Sequence, residues 1–195
     1  VTEVGGAAHA GGTASGPTSF MRALDAWAGV TKSGGTARRA AKMWVLNVDH
    51  PDIFDYVRDK AEAERMASAL IDAGWPADYN GKVYTWLPFQ NANNSVRVTD
   101  AFMLAVRNDS AWPLRWQGEV VREVRARDLW HEVCEAAHVC GDPGIQFDDA
   151  NNTWHTSPGG GRINASNPCQ PAFAPVLTPA GICTIGNVRV GDTVW

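Results

Sequence analysis

Cys169 follows directly on Ser166, Asn167 and Pro168, a turn-forming run. A thiol at such a turn can face a cavity while the hydroxyl and amide beside it hold a polar ligand, and as a thiolate it is a nucleophile. The same residues would equally make a plain turn ending in a buried cysteine, because short patterns carry little weight alone. Gly34 and Gly35, with Arg38 and Arg39 behind them, can bring backbone N–H groups and positive charge to a diphosphate or its ribose. They can also be an ordinary turn. Gln90, Asn91, Asn93, Asn94 and Ser95 read as an exposed loop dense in side-chain amides. His131, Cys134 and His138 share one helix, but no second cluster completes a four-ligand set, so no metal site is expected there. Trp154 and His155 are given a packing and turn role.

These residues need elements to position them. Helical spacing at Phe20, Leu24 and Trp27 predicts a helix over 20–30, broken by Gly34 and Gly35. The apolar run Met43 to Val48 predicts a buried strand. Asp49 is the expected N-cap and Pro51 the first-turn proline of a helix over 52–73, stopped by Gly74. Ser95 to Val98 predicts a strand, Thr99 caps a helix through Val106, and Val120 to Val124 predicts another strand. A helix over 128–140 ends at Gly141, and Ile145 to Phe147 is a brief strand. Strand and helix alternate, which predicts an α/β architecture. After Asn167 the helical period disappears, and Pro175–Thr178, Ile182–Ile185 and Val188–Trp195 read as short β segments. The expected boundary is Pro168/Cys169, giving regions 1–168 and 169–195.

Composition narrows the class. The 195 residues carry 45% hydrophobic and 19% charged side chains, a globular balance. With 17 Lys plus Arg against 21 Asp plus Glu the net charge is -4, so a nucleic-acid-binding surface is not the default expectation. No apolar run approaches bilayer length, and no membrane association is expected. Four scattered cysteines do not make a secreted disulfide framework and suit a reducing, cytoplasmic setting. A start at Val1 and a stop at Trp195 within an apolar run read as a fragment of a longer protein.

Six blocks in order carry a resemblance. They are 12–21 (GTASGPTSFM), 32–43 (KSGGTARRAAKM), 47–53 (NVDHPDI), 90–100 (QNANNSVRVTD), 154–158 (WHTSP) and 161–168 (GRINASNP). Over about 11–168 the chain resembles the large, catalytic subunit of ribonucleotide reductase, most closely the adenosylcobalamin-dependent class II enzymes. The resemblance implies part of a ten-stranded α/β barrel with a finger loop that carries a cysteine to its centre. It implies a ribonucleotide substrate, a nucleotide effector, a thioredoxin-like reductant and adenosylcobalamin, whose binding residues lie outside this chain, and it allows a homodimer of the full-length protein. Ser166 and Asn167 match the substrate-binding part of the family's cysteine motif, Gly34 and Gly35 lie in its substrate region, and Gln90, Asn91, Asn93, Asn94 and Ser95 match its specificity loop. The family places a general-base glutamate two residues after the cysteine; here that position is Pro171, which cannot accept a proton.

That departure reads as an insertion. Cys169, the run from Pro175 to Thr178 (PVLT), and the run from Gly191 to Val194 (GDTV) resemble the opening of an intein, the start of a Hint-type β fold. The resemblance implies that the Cys169 thiol attacks the Pro168 carbonyl and makes a thioester at a Pro168/Cys169 splice junction. The reductase's own radical cysteine would then follow the intein. The chain as given lacks the later splicing residues, so it is not expected to splice by itself. Two alternatives stay open: a metal-radical class I large subunit, and an autoprocessing remnant without reductase activity.

Overall fold

A computed structural model describes residues 15–31, 42–78, 81–166, 175–179, 181–184 and 187–188. The chain divides into two compact units, Val1–Ala165 and Ser166–Trp195.

The first unit opens with helix α1, Pro17–Val30, with proline at its first position, where a missing N–H costs nothing. Its buried stripe is Met21, Asp25 and Ala28, while Phe20 and Trp27 are each 66% exposed. The face read from Phe20, Leu24 and Trp27 is therefore not the buried one. The reason is polar: the Asp25 carboxylate accepts from the Asn91 backbone N–H at 2.9 Å and turns that side of the helix inward.

Strand β1, Lys42–Asn47, leads into α2, Ile53–Asp72. The residue before α2 is Asp52, not Asp49, and its side chain makes no capping bond. The His50 ring takes over part of that task, with Nδ1 accepting from the Asp52 N–H at 3.0 Å. Burial lowers the His50 pKa, against the pull of Asp52 and Asp49, and keeps the ring in the neutral form this bond requires. Along α2, Ala61, Ala63 and Ala67 are buried, while Met66 is 55% exposed.

A short helix α3, Lys82–Trp86, precedes β2, Ala92–Val98. Positions 92–94, expected in an amide loop, are strand, the strand expected from Ser95 therefore starts earlier, and Asn94 and Ser95 are among its buried residues. Helix α4, Asp100–Asn108, is capped as expected, the Thr99 hydroxyl accepting from the Phe102 N–H at 3.2 Å. Next comes a hairpin, β3 (Ala111–Trp116) with β4 (Glu119–Arg125). Its turn residues Gln117 and Gly118 both have positive φ, the geometry that matches strand twist in a two-residue loop. Only β4 is foreseeable from alternation; Pro113 obscures β3. Helix α5, Ala126–Cys140, ends on left-handed Gly141, and β5, Gly144–Phe147, runs into α6, Asp148–Thr153.

Strands β1, β2 and β5 form a parallel three-stranded sheet in the order β1-β2-β5, which does not close on itself among the described residues. Val96 and Val98 of β2 join a core with Ile53, Tyr56 and Val57 of α2, Phe102 of α4, and Leu129 and Val133 of α5. Buried Ala126, Leu129, Val133 and Ala136 recur at helical spacing and form one stripe. Each buried Leu or Val contributes about 1.5–3 kcal/mol. At the rim of the α2–α5 contact Arg58 grips Glu132 with two bonds, 2.7 and 2.8 Å.

The second unit contains an antiparallel pair, β6 (Pro175–Thr178) with β7 (Gly181–Thr184). The expected strand over 188–195 falls almost wholly outside the described residues, and Val188 itself is not in a strand.

One side chain fastens α2 to the sheet. The buried Tyr56 hydroxyl donates to the Trp44 carbonyl (2.9 Å) or the Ser95 carbonyl (3.0 Å) and accepts from the Ser95 N–H (3.1 Å). Burial raises its pKa, so it stays protonated and able to donate. Tyr56→Phe leaves buried strand groups without their partner, and a loss of about 1–3 kcal/mol is expected. Urea denaturation checks this; a variant as stable as the parent would remove Tyr56 from the role.

Candidate active site

The parallel register places Asn47, Arg97 and Gln146 in one row across the three strands. Side chains in a row share a face of the sheet. Two residues further along β2, toward its N-terminus, the row is Val45, Ser95 and Gly144. Polar character therefore gathers at the carboxyl edge, where parallel α/β sheets bind ligands. A cleft of about 500 Å³ opens there, lined by Asn47, Asp49, Arg97, Thr99, Trp112, Asp148, Arg162 and Asn164 among others. Thr99 and Asp148 directly follow β2 and β5.

Arg97 organises the cleft. It is 7% exposed in the central strand, and a buried guanidinium demands a partner. Asp148 supplies it: Arg97 Nε donates to Asp148 Oδ1 at 2.7 Å, and Nη2 donates to the same oxygen and to the Ile163 carbonyl. The second Asp148 oxygen accepts from Arg162 Nη2 at 2.7 Å. One carboxylate thus bridges two guanidinium groups. Among the described residues, the buried Arg97 Nη1 has no hydrogen-bond partner. It is a donor that a ligand oxygen can satisfy.

A second cavity, about 560 Å³, lies between α1 and the 84–91 segment, with Arg22, Asp25, Tyr84, Trp86 and Asn91 in its wall. Asn91 Nδ2 donates to the Asp25 carbonyl at 3.3 Å, while its buried Oδ1 has no partner among the described residues.

The residues singled out from the sequence are scattered. Gln90 Nε2 donates to the Pro88 carbonyl at 3.2 Å, and Asn91 is tied to Asp25. Asn93, Asn94 and Ser95 belong to β2, and both amide atoms of Asn94 are buried with no partner among the described residues. These five therefore do not make one exposed loop. Ser166 is exposed; Gly34, Gly35, Arg38, Arg39, Asn167, Pro168 and Cys169 lie outside the described residues. His131 and Cys134 are on the exposed side of α5. His155 has the expected turn contacts, Nδ1 accepting from the Ser157 N–H at 3.3 Å and Nε2 lying 3.1 Å from the Gly161 carbonyl. Trp154 is 84% exposed and packs against little.

Sequence reasoning missed Arg97, Asp148, Asn152 and Arg162. The signal for Arg97 was present: a charge between Val96 and Val98 of an otherwise apolar strand end.

Fold and cleft together define an α/β domain with a polar cleft at the carboxyl edge of a parallel sheet. A model of the ribonucleotide reductase barrel domain matches residues 6–194. The vitamin B12-dependent ribonucleotide reductase of Streptomyces coelicolor is 55% identical over 162 residues, 82% of this chain and 17% of that protein. The enzyme of that name from Rhodopirellula baltica is 49% identical over 164 residues, 82% of this chain and 16% of that protein. The vitamin B12-dependent ribonucleoside-diphosphate reductase of Mycobacterium tuberculosis strain H37Rv is 41% identical over 185 residues, 94% of this chain and 22% of that protein. The chain belongs to the ribonucleotide reductase barrel-domain family. It spans about a sixth to a quarter of the length of these relatives.

Burial alone would raise the Asp148 pKa, but the bonds and charges of Arg97 and Arg162 outweigh it and hold the carboxyl below its usual range. A depressed carboxylate contributes stability that is full above its unfolded value, about pH 3.9, and is lost as pH falls through the folded value. Asp148→Asn is expected to cost about 3–5 kcal/mol at pH 7, because it strands a buried charge. The gap from the parent should narrow below about pH 4. Thermal melts of both proteins from pH 7 to pH 3 check it; a constant gap would be the contrary result.

Proposed function

We propose that this chain is part of the catalytic barrel of an adenosylcobalamin-dependent ribonucleotide reductase, with an intein opening at Cys169. The observation that carries the reductase reading is the 55% identity to a B12-dependent reductase across 82% of the chain. On this reading β1, β2 and β5 are three of the ten barrel strands, and the cleft at their carboxyl edge faces the ribonucleotide. Arg97 Nη1 and the Thr99 hydroxyl offer donors to sugar or phosphate oxygens. Asp148 holds Arg97 in place and balances its charge. The spliced, full-length protein would use a nucleotide effector and a thioredoxin-like reductant, and would have the chance to pair as a homodimer.

Adenosylcobalamin would supply the radical that the reacting cysteine carries to the ribose. Among the described residues no group of three His, Cys, Asp or Glu side chains could hold a metal ion. On this reading the residues that bind the cofactor lie outside this chain.

The intein reading is supported by Pro171 in place of the needed carboxylate and by the β6–β7 pair in the unit that begins at Ser166. Cys169 would attack the Pro168 carbonyl: the thiol loses its proton, a C–S bond forms, and the Pro168–Cys169 C–N bond breaks to leave a free amine on Cys169. A second reading takes the tail as diverged reductase sequence. It is favoured by the family match to residue 194 and by the mycobacterial alignment over 94% of the chain.

Mass spectrometry of the protein extended through its natural downstream sequence separates them. A joined product lacking the insert is expected, and Cys169→Ala should abolish it. A folded, full-length, unspliced product from the parent sequence would overturn the intein assignment and leave the second reading.

A further inference from the structure

Residues 161–166 have no regular secondary structure, yet Ile163 is held at both backbone groups by side chains from elsewhere. Its N–H donates to Asn152 Oδ1 at 2.9 Å. Its carbonyl accepts from Asn152 Nδ2 at 3.2 Å and from Arg97 Nη2. Asn152 is itself oriented, Nδ2 also donating to the Asp148 carbonyl at 2.9 Å. Next door, the Arg162 side chain bonds the second oxygen of Asp148. A backbone amide pair gripped by a side-chain amide mimics one rung of a sheet. The rung ties the segment to the cleft at the single point where Arg97 and Asp148 already meet.

The geometry points to Asn152, with Arg97 and Asp148, as positioning residues for the reacting cysteine: they fix the stretch of chain that leads into it. The inference rests on the reductase reading above. Asn164 is the last of the described residues that line the cleft, and Ser166 to Pro168 follow closely in the sequence. Under either account of the tail, the residue joined to Pro168 in a working reductase is a cysteine. A thiol that abstracts hydrogen must sit within contact distance of its target, and a misplacement of about 1 Å can cost about 100-fold in rate. A lead-in without ladder bonds would not hold that tolerance by itself. The latch supplies the missing constraint, and none of its parts needs to touch the reacting atoms.

The test uses the full-length spliced reductase with Asn152→Ala, and Asn151→Ala as the neighbouring control on the same helix. Two quantities are read: hydrogen exchange at the Ile163 amide, and kcat and KM for ribonucleotide reduction. Asn152→Ala is expected to speed exchange at Ile163 at least about 10-fold and to lower kcat about 10- to 100-fold, with KM within about 3-fold. Asn151→Ala should change neither. Asn152→Asp keeps an acceptor for the Ile163 N–H but loses the donor to its carbonyl; it should shift both readouts the same way and decides the matter if Asn152→Ala does not fold. Faster exchange with unchanged kcat would overturn the positioning role, as would unchanged exchange. A raised KM at constant kcat would also overturn it, by marking a substrate contact. A parent protein that folds and splices but reduces no ribonucleotide would instead sink the reductase reading, and exchange at Ile163 would still report whether the latch exists.

Discussion

The fold of the first unit turns on one charge placed where charge is costly. Arg97 lies in the central strand, 7% exposed, and a guanidinium there is tolerable only with close, well-aligned acceptors. Meeting that demand dictates much else. β5 must run beside β2, so that Asp148 follows within reach, and α6 must begin at once to aim the carboxylate back. The chain after α6 must return to bring the Ile163 carbonyl to Nη2. The interaction is therefore an organising constraint more than a source of net stability, since buried ion pairs seldom outperform apolar packing.

A second constraint works on the opposite face of the sheet. Tyr56 reaches from α2 to the backbones of β1 and β2, and its hydroxyl both donates and accepts. Lys60, one turn along, bonds the Ala92 carbonyl and pairs with Asp142. Helix α2 is thus pinned at the middle and at the start of β2. The cleft edge and the helix face are both referenced to the same strand.

The α/β alternation, the Thr99 cap and the Gly141 stop could be read from the sequence because each rests on local physics. The misses have tertiary causes. Residues 92–94 look like loop because Asn favours turns, but parallel pairing with β1 makes them strand. Strand β3 was hidden by Pro113, which an edge position in a two-stranded hairpin tolerates. The face of α1 was misjudged because Asp25, not an apolar side chain, decides which side turns inward. The site was the least legible part. Cys169 announces itself by type and Arg97 by its place between two valines, whereas Asp148 and Asn152 acquire meaning only when register and chain return bring them together.

The anchoring of Ile163 also has a direction in time. Arg97, Asp148 and Asn152 all precede Ile163 in the chain, so every partner has left the ribosome before the residue it receives. The anchor can close while later sequence is still being translated, in keeping with domains that fold as units from the N-terminal side. Whatever polypeptide emerges after Pro168, short or long, would then start from a lead-in that is already secured.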